Sequence, residues 1–283
     1  MKLEGRRTST NVDDRRRIGG TTAGLGIGGV IIAAVIAWVM GGDPLEVVSS
    51  QLGDITQSGT EYVPSAQEEA MATFAGQILA GTEDVWTKEF EKMGRKYVPP
   101  TMVLYTRATR SGCGSASSQT GPFYCPGDQT VYIDLSFFDQ MKNELGAGGD
   151  FAYAYVIAHE VGHHVQYLLG TLNQVQQKQS RASQKESNQL NVRLELQADF
   201  YAGIWAYYDN KMYNSLEQGD IEKGLNAASA IGDDRLQMQS QGYTVPDAFN
   251  HGTSAQRMRW LKKGATTGRV ADGDTFSPAY SSL

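Results

Sequence analysis

The amino-acid sequence predicts an α+β fold, a mostly helical domain with a small β-sheet, preceded by one transmembrane helix. Three observations carry this expectation. Several segments repeat apolar residues at helical spacing, two short runs are rich in β-branched and aromatic residues, and one long stretch near the N-terminus holds no charge. The 283 residues suffice for one domain of about 200 residues plus extensions. A net charge of −6 argues against nucleic acid as a partner, and 40% hydrophobic residues fit a chain with one core.

Residues 1–17 form a polar head in which Lys2, Arg6, Arg7, Arg15, Arg16 and Arg17 outnumber Glu4, Asp13 and Asp14. Residues 18–40 are free of charge. A helix over that span would be about 34 Å long, enough for a hydrocarbon core of about 30 Å. Basic residues precede the span and few follow it closely. The positive-inside rule then predicts a single-pass anchor in the inner (cytoplasmic) membrane, with a cytoplasmic N-terminus and an extracytoplasmic domain. A cleaved signal peptide and a buried soluble helix are the competing readings. No A-x-A site follows, since Ala34 and Ala37 stand three apart.

Residues 41–64 read as a linker. The domain proper is expected over 65–265, and 266–283 as a flexible tail. Residues 65–93 show helical periodicity, and Ser65 with Glu68 makes a capping box. Pro99 and Pro100 end that helix. The runs 102–105 and 130–133 are candidate strands, joined by a Gly- and Ser-rich loop that holds the chain's two cysteines, Cys113 and Cys125. In an oxidising compartment these would form a disulfide, worth about 3 kcal/mol for a loop of about a dozen residues. Residues 137–145 read as a helix. The glycine-rich breaker 146–149 precedes another over 151–170, which Asp150 is placed to cap. The stretch 174–189 is either a solvated helix or a mobile loop. Residues 188–212, 217–230 and 254–263 complete the helices.

The chemistry sits in His159-Glu160-Val161-Gly162-His163. Helical residues four apart share a face, so His159 and His163 can aim two imidazoles at one metal ion. Glu160 projects about 100° away from His159 and can act as a base on a metal-activated water. A catalytic zinc site needs a third protein ligand. The extended H-E-x-x-H-x-x-G-x-x-H pattern fails, because Gln166 and Leu169 stand at its Gly and His positions. His164 is rotated away and either caps the outer side of the site or faces solvent. Downstream, Glu195 and Asp199 share one face of an otherwise apolar helix, where unpaired carboxylates would be costly. Glu195 is therefore expected as the third zinc ligand. Asp199 is expected to accept a hydrogen bond from a ligand histidine and so orient its ring.

These blocks, together with Gly5-Arg6-Arg7, residues 11–16, Cys113-Gly114, residues 121–126, Val131-Tyr132-Ile133-Asp134-Leu135 and Ala202-Gly203, resemble the bacterial putative neutral zinc metallopeptidase family. The resemblance covers nearly the whole chain. It implies a zincin-like catalytic domain behind a single-pass membrane anchor. The Glu-x-x-x-Asp arrangement is similar to that of the wider zincins whose third ligand is glutamate.

The function expected is hydrolysis of peptide bonds by zinc-activated water, with Glu160 as general base and a peptide or protein as substrate. His251 is the best candidate by residue type for a second oxyanion donor, although it also fits a turn histidine ahead of a helix cap. Arg257, Tyr201 and Tyr243 are weaker candidates, and Asp134 reads as a turn acid. An extended substrate could pair with strand 130–133. The alternatives are a non-catalytic, zinc-stabilised envelope scaffold and an amide hydrolase acting on peptidoglycan.

Overall fold

The computed structural model describes residues 1–17 and 63–283. Strand β1 (Val12–Asp14) lies in the head. Helix α1 (Ala66–Lys92) leads to β2 (Thr101–Tyr105), the hairpin β3 (Ala108–Ser111) and β4 (Gly114–Ser117), then β5 (Phe123–Cys125) and β6 (Thr130–Asp134). Helices α2 (Ser136–Asn143), α3 (Asp150–Leu169), α4 (Thr171–Gln179), α5 (Gln184–Tyr213), α6 (Asp220–Ala230), α7 (Asp233–Gln241) and α8 (Ser254–Thr267) follow. The α+β expectation agrees with this mostly helical arrangement around a small sheet.

The sheet runs β1-β2-β6-β5, with β1, β2 and β6 parallel and β5 antiparallel to β6. Its two faces explain the nearly continuous apolar runs of β2 and β6. Met102, Leu104, Val131 and Ile133 join the main helical core, while Val103, Tyr105, Cys125 and Tyr132 form a second cluster on the other face. The Tyr105 hydroxyl in that second cluster donates to the Ser117 carbonyl of the β3–β4 hairpin. The Cys113–Cys125 disulfide ties the turn of the hairpin to β5. The main core gathers Trp86 of α1, Phe151 and Tyr155 of α3, and Phe200 and Trp205 of α5. Helix α3 is buried along almost its whole length from Phe151 to Gln166.

Local signals set several boundaries. Ser65 caps α1 with Glu68, and Ser183 caps α5 with Glu186, which makes most of the undecided 174–189 stretch helical around a short break. Gly149, at a positive φ of +118° that favours glycine, precedes α3 in place of the expected Asp150 cap, and Asp150 is the first helical residue.

The membrane topology needs correction. Among the described residues no helix is long and apolar enough to cross a membrane. The expected transmembrane helix, 18–40, lies outside the described residues, as does the linker up to residue 62. The head settles the topology, because it is part of the domain. Its strand β1 pairs with β2. Arg6 makes a two-pronged contact at 2.6 and 2.9 Å with Asp209 of α5, which is 1% exposed. Ser9 and Asn11 donate to Glu83 of α1. Arg16, 2% exposed, bonds Asp14 and the Glu68 carbonyl, and Arg17 pairs with Glu69. The basic residues that suggested a cytoplasmic head are counter-ions for acids of the domain. A cytoplasmic head with an extracytoplasmic domain, and with it the single-pass inner-membrane placement, is overturned.

The C-terminal stretch also differs from expectation. Residues 266–283 pack against the domain instead of trailing from it. Arg193 of α5 donates to the Thr275 and Pro278 carbonyls, Gln197 donates to Gly273, and Leu283 is buried.

Candidate metal centre

Two close helix crossings build the site. A Cβ placed at Gly162 of α3 would sit 3.0 Å from the Ala198 carbonyl oxygen of α5, so glycine lets these backbones approach. Gly203 of α5 and Gly264 of α8 play the same part, since a Cβ on either would collide with a carbonyl of the opposite helix. The first crossing sets the histidines of α3 against the acids of α5. The second brings Arg257 of α8 to the same place.

His159, His163 and Glu195 present one ligand atom each, all within 4.8 Å of one another. His159 Nε2 lies 3.2 Å from Glu195 Oε2, and His163 Nε2 lies 3.4 Å from Glu195 Oε1. Donors about 2.0–2.1 Å from a shared tetrahedral ion stand about 3.3–3.4 Å apart. The spacing and the N,N,O donor set therefore fit zinc. The other ring nitrogens are engaged. His159 Nδ1 donates to Asp199 Oδ1 at 2.8 Å, and His163 Nδ1 donates to Gln166 Oε1 at 2.9 Å. Both bonds favour the tautomer that leaves Nε2 free for a metal.

Electrostatics point the same way. Burial disfavours a cation at His159, but Asp199 and Glu195 outweigh it and raise its pKa to about 10 in the metal-free protein. Burial opposes the charge on Glu195, yet the nearby imidazoles hold its carboxyl well below the usual range. Burial likewise opposes ionisation of Asp199, and Arg257 with His159 holds it low. Two buried carboxylates thus demand positive charge here, which a divalent cation would supply with the imidazoles neutral.

Asp199 is the hub behind the ligands. It is 0% exposed and accepts from Tyr155 Oη at 2.5 Å, from Arg257 Nε at 2.9 Å and from Arg257 Nη2 at 3.0 Å. Arg257, weighed from sequence as an oxyanion donor, is instead the buried counter-ion of this acid. The supporting roles of Gln166 and Tyr155 are not among the sequence expectations, although Gln166 stands three residues after His163 and Tyr155 four before His159. That helical spacing was the available signal. Gln166 Nε2 also donates to the Leu194 carbonyl, which ties α3 to α5 beside the ligands.

The centre opens into a cleft of about 590 Å³ lined by Glu160, His251, Arg257 and parts of β5, α2, α4 and α7. Glu160 is buried at the cleft wall. His251 is held by Asp233, whose carboxylate also accepts the backbone N–H groups of Asn250, His251 and Gly252. No sequence pattern had singled out Asp233.

Other candidates lie elsewhere. Tyr201 packs edge-on against Trp86, and Tyr243 is exposed; neither lines the cleft. His164 neither caps the outer side of the site nor faces solvent. It is fully buried, accepting from Tyr124 Oη at 3.0 Å and donating to the Val98 carbonyl at 2.7 Å, and burial lowers its pKa to about 4. Asp134 accepts from Arg107 N, Ser118 Oγ and Ser136 N, as a turn acid does. Strand β6 is paired on both sides, so substrate cannot add to it; β5 is the edge strand beside the cleft.

The chain is 51% identical over 286 aligned positions to the uncharacterized protein YpfJ of Escherichia coli K12, covering 98% of this chain and 99% of that protein. It is 46% identical over 193 positions to the uncharacterized protein Rv2575 of Mycobacterium tuberculosis H37Rv, covering 65% of this chain and 64% of that one. No solved structure matches the chain. The family described as putative neutral zinc metallopeptidase matches residues 1–276, and the chain belongs to it.

Proposed function

We propose that the cleft is the active site of a zinc-dependent peptidase in which His159, His163 and Glu195 hold the metal and Glu160 is the general base. The observation that carries this reading is the convergence of three metal-ready donors from two helices, with the Glu160 carboxylate in the same cleft. When bound, zinc would supply a Lewis acid that polarises the scissile carbonyl and makes water nucleophilic near neutral pH. Glu160 takes the proton from the attacking water and returns it to the leaving amine, closing the proton balance of hydrolysis. His251, oriented by Asp233, donates to the developing oxyanion. Asp199 and Arg257 act through His159, holding its ring and tautomer. The outer edge of β5, unpaired among the described residues, gives an extended peptide a strand to pair with.

The test compares the full-length protein with Glu160→Gln. Metal content by mass spectrometry and hydrolysis of a casein-type substrate are measured for both. The variant should keep equimolar zinc and lose about 10²- to 10⁴-fold in rate. Undiminished hydrolysis in the variant would overturn the role of Glu160, and zinc-free wild-type protein would overturn the metal centre.

A further inference from the structure

We infer that the cleft selects peptide segments with uncharged, mainly apolar side chains; this rests on the peptidase reading above. Charged residues make up 20% of the chain, yet among the described residues lining the cleft the formal charges are Glu160, Glu195, Arg257 and the imidazoles. All of these belong to the metal centre and its supports, and Arg257 is consumed by Asp199. The remaining wall is of two kinds. Phe123, Phe137, Val156, Leu172, Ile231 and Leu236 supply apolar surface. Ser118, Thr120, Gln140, Gln176, Gln179 and Asn191 supply neutral polar groups.

Two charges adjacent in sequence to lining residues are directed elsewhere. Lys178 precedes Gln179 but lines a separate groove with Gln174 and Asp274, and Asp139 precedes Gln140 but lines a pocket beside α1. The amides of Gln179 and Asn191 donate to the Ser187 and Asn250 carbonyls, which leaves their oxygens as acceptors suited to a substrate backbone N–H. Away from the metal centre, a charged side chain entering this cleft sheds water and meets no counter-ion among the described lining residues. An apolar one replaces water against Phe137, Ile231 and Leu236. The same reasoning disfavours the carboxylate-rich stem peptides of peptidoglycan and favours neutral protein segments.

The experiment uses zinc-loaded full-length protein and quenched fluorescent peptides of one length. One set has apolar residues throughout its centre; the others carry Glu or Lys at each central position in turn, and soluble muropeptides form a further arm. kcat/KM is measured for each, and binding of the same peptides to Glu160→Gln is measured by fluorescence anisotropy. The apolar set should exceed the charged sets by about a hundredfold in kcat/KM and bind correspondingly tighter. Leu236→Arg, at a rim position 36% exposed, should raise kcat/KM for the Glu peptides at least about tenfold relative to the apolar set. Equal turnover of charged and apolar peptides, or preferred turnover of muropeptides, would overturn the inference while leaving a hydrolase. Failure to cleave or bind any probe would overturn the peptidase reading itself and this inference with it.

Discussion

Arg257 and Asp199 form a buried ion pair whose removal has a calculable signature. Asp199 is 0% and Arg257 2% exposed, and the guanidinium contacts both carboxylate oxygens, at 2.9 and 3.0 Å. Arg257→Met leaves the carboxylate with only Tyr155 and His159 as partners. Asp199→Asn leaves a guanidinium in the core without a counter-charge. Breaking one side of such a pair costs about 3–5 kcal/mol, whereas replacing both partners with neutral groups is often close to neutral. The double variant should therefore be more stable than either single one. With a urea m value of about 2–3 kcal/mol/M for a domain of this size, each single substitution lowers the unfolding midpoint by about 1–2.5 M. The assay is urea unfolding of the four proteins in EDTA, so that stability is read without metal. Zinc affinity is then measured separately, and Asp199→Asn should weaken it about 10- to 100-fold because the acceptor of the His159 ring loses its negative charge. Single losses below about 1 kcal/mol, or a double variant that loses the sum of the two, would refute the buried-pair argument.

Glu195→Ala should greatly weaken zinc binding in an equilibrium competition with a chelator, and unchanged affinity would remove Glu195 from the ligand set. Arg6→Ala leaves Asp209 buried without its counter-ion and should cost about 3–5 kcal/mol in urea unfolding, far more than a substitution in a head detached from the domain. The Asp233–His251 pair predicts a bell-shaped stability contribution. Burial opposes both charges, but their mutual hydrogen bond, helped by backbone N–H groups on Asp233 and by Glu195 facing His251, outweighs it and lowers the Asp233 pKa while raising that of His251; Arg257 opposes the His251 cation. The Asp233 part is lost as pH falls below about 4, and the His251 part is lost as pH rises above about 6.5. The melting-temperature deficit of His251→Ala should then be largest between those limits, and a deficit that does not vary with pH would contradict the pairing.

The parts of this centre that were legible in sequence are those governed by helical arithmetic. His159 and His163 are four apart, as are Glu195 and Asp199, and each pair faces one way once its segment is a helix. The capping box at Ser65 and the beta-rich runs at 102–105 and 130–133 were equally local. What escaped notice depends on partners distant in the chain. Arg6 meets Asp209 across 203 positions and Arg257 meets Asp199 across 58. Charge counting treats such residues as solvated, so the head read as the cytoplasmic flank of an anchor and Arg257 as a free donor. The C-terminal stretch failed for the same reason. Its Gly and Ser content suggests a tail, but its backbone carbonyls are what Arg193 and Gln197 bind, and composition carries no record of a backbone acceptor.

The unusual density of buried charge at this centre follows from the glycines that flank it. Gly162 lets α3 come close enough to α5 for the Glu195 carboxylate to reach both imidazoles, and the Gly203–Gly264 contact lets α8 deliver Arg257 behind Asp199. Bulkier residues at these crossings would hold the helices further apart, where water would enter between the charged groups and weaken their coupling. Close approach therefore does two things at once. It brings the donors to the spacing a tetrahedral ion requires, and it excludes the solvent that would otherwise satisfy the carboxylates without one. The acids of α5 are then left with a choice between Arg257, a proton on His159 and a metal ion, and only the last leaves the imidazoles neutral while placing a Lewis acid at the head of the cleft.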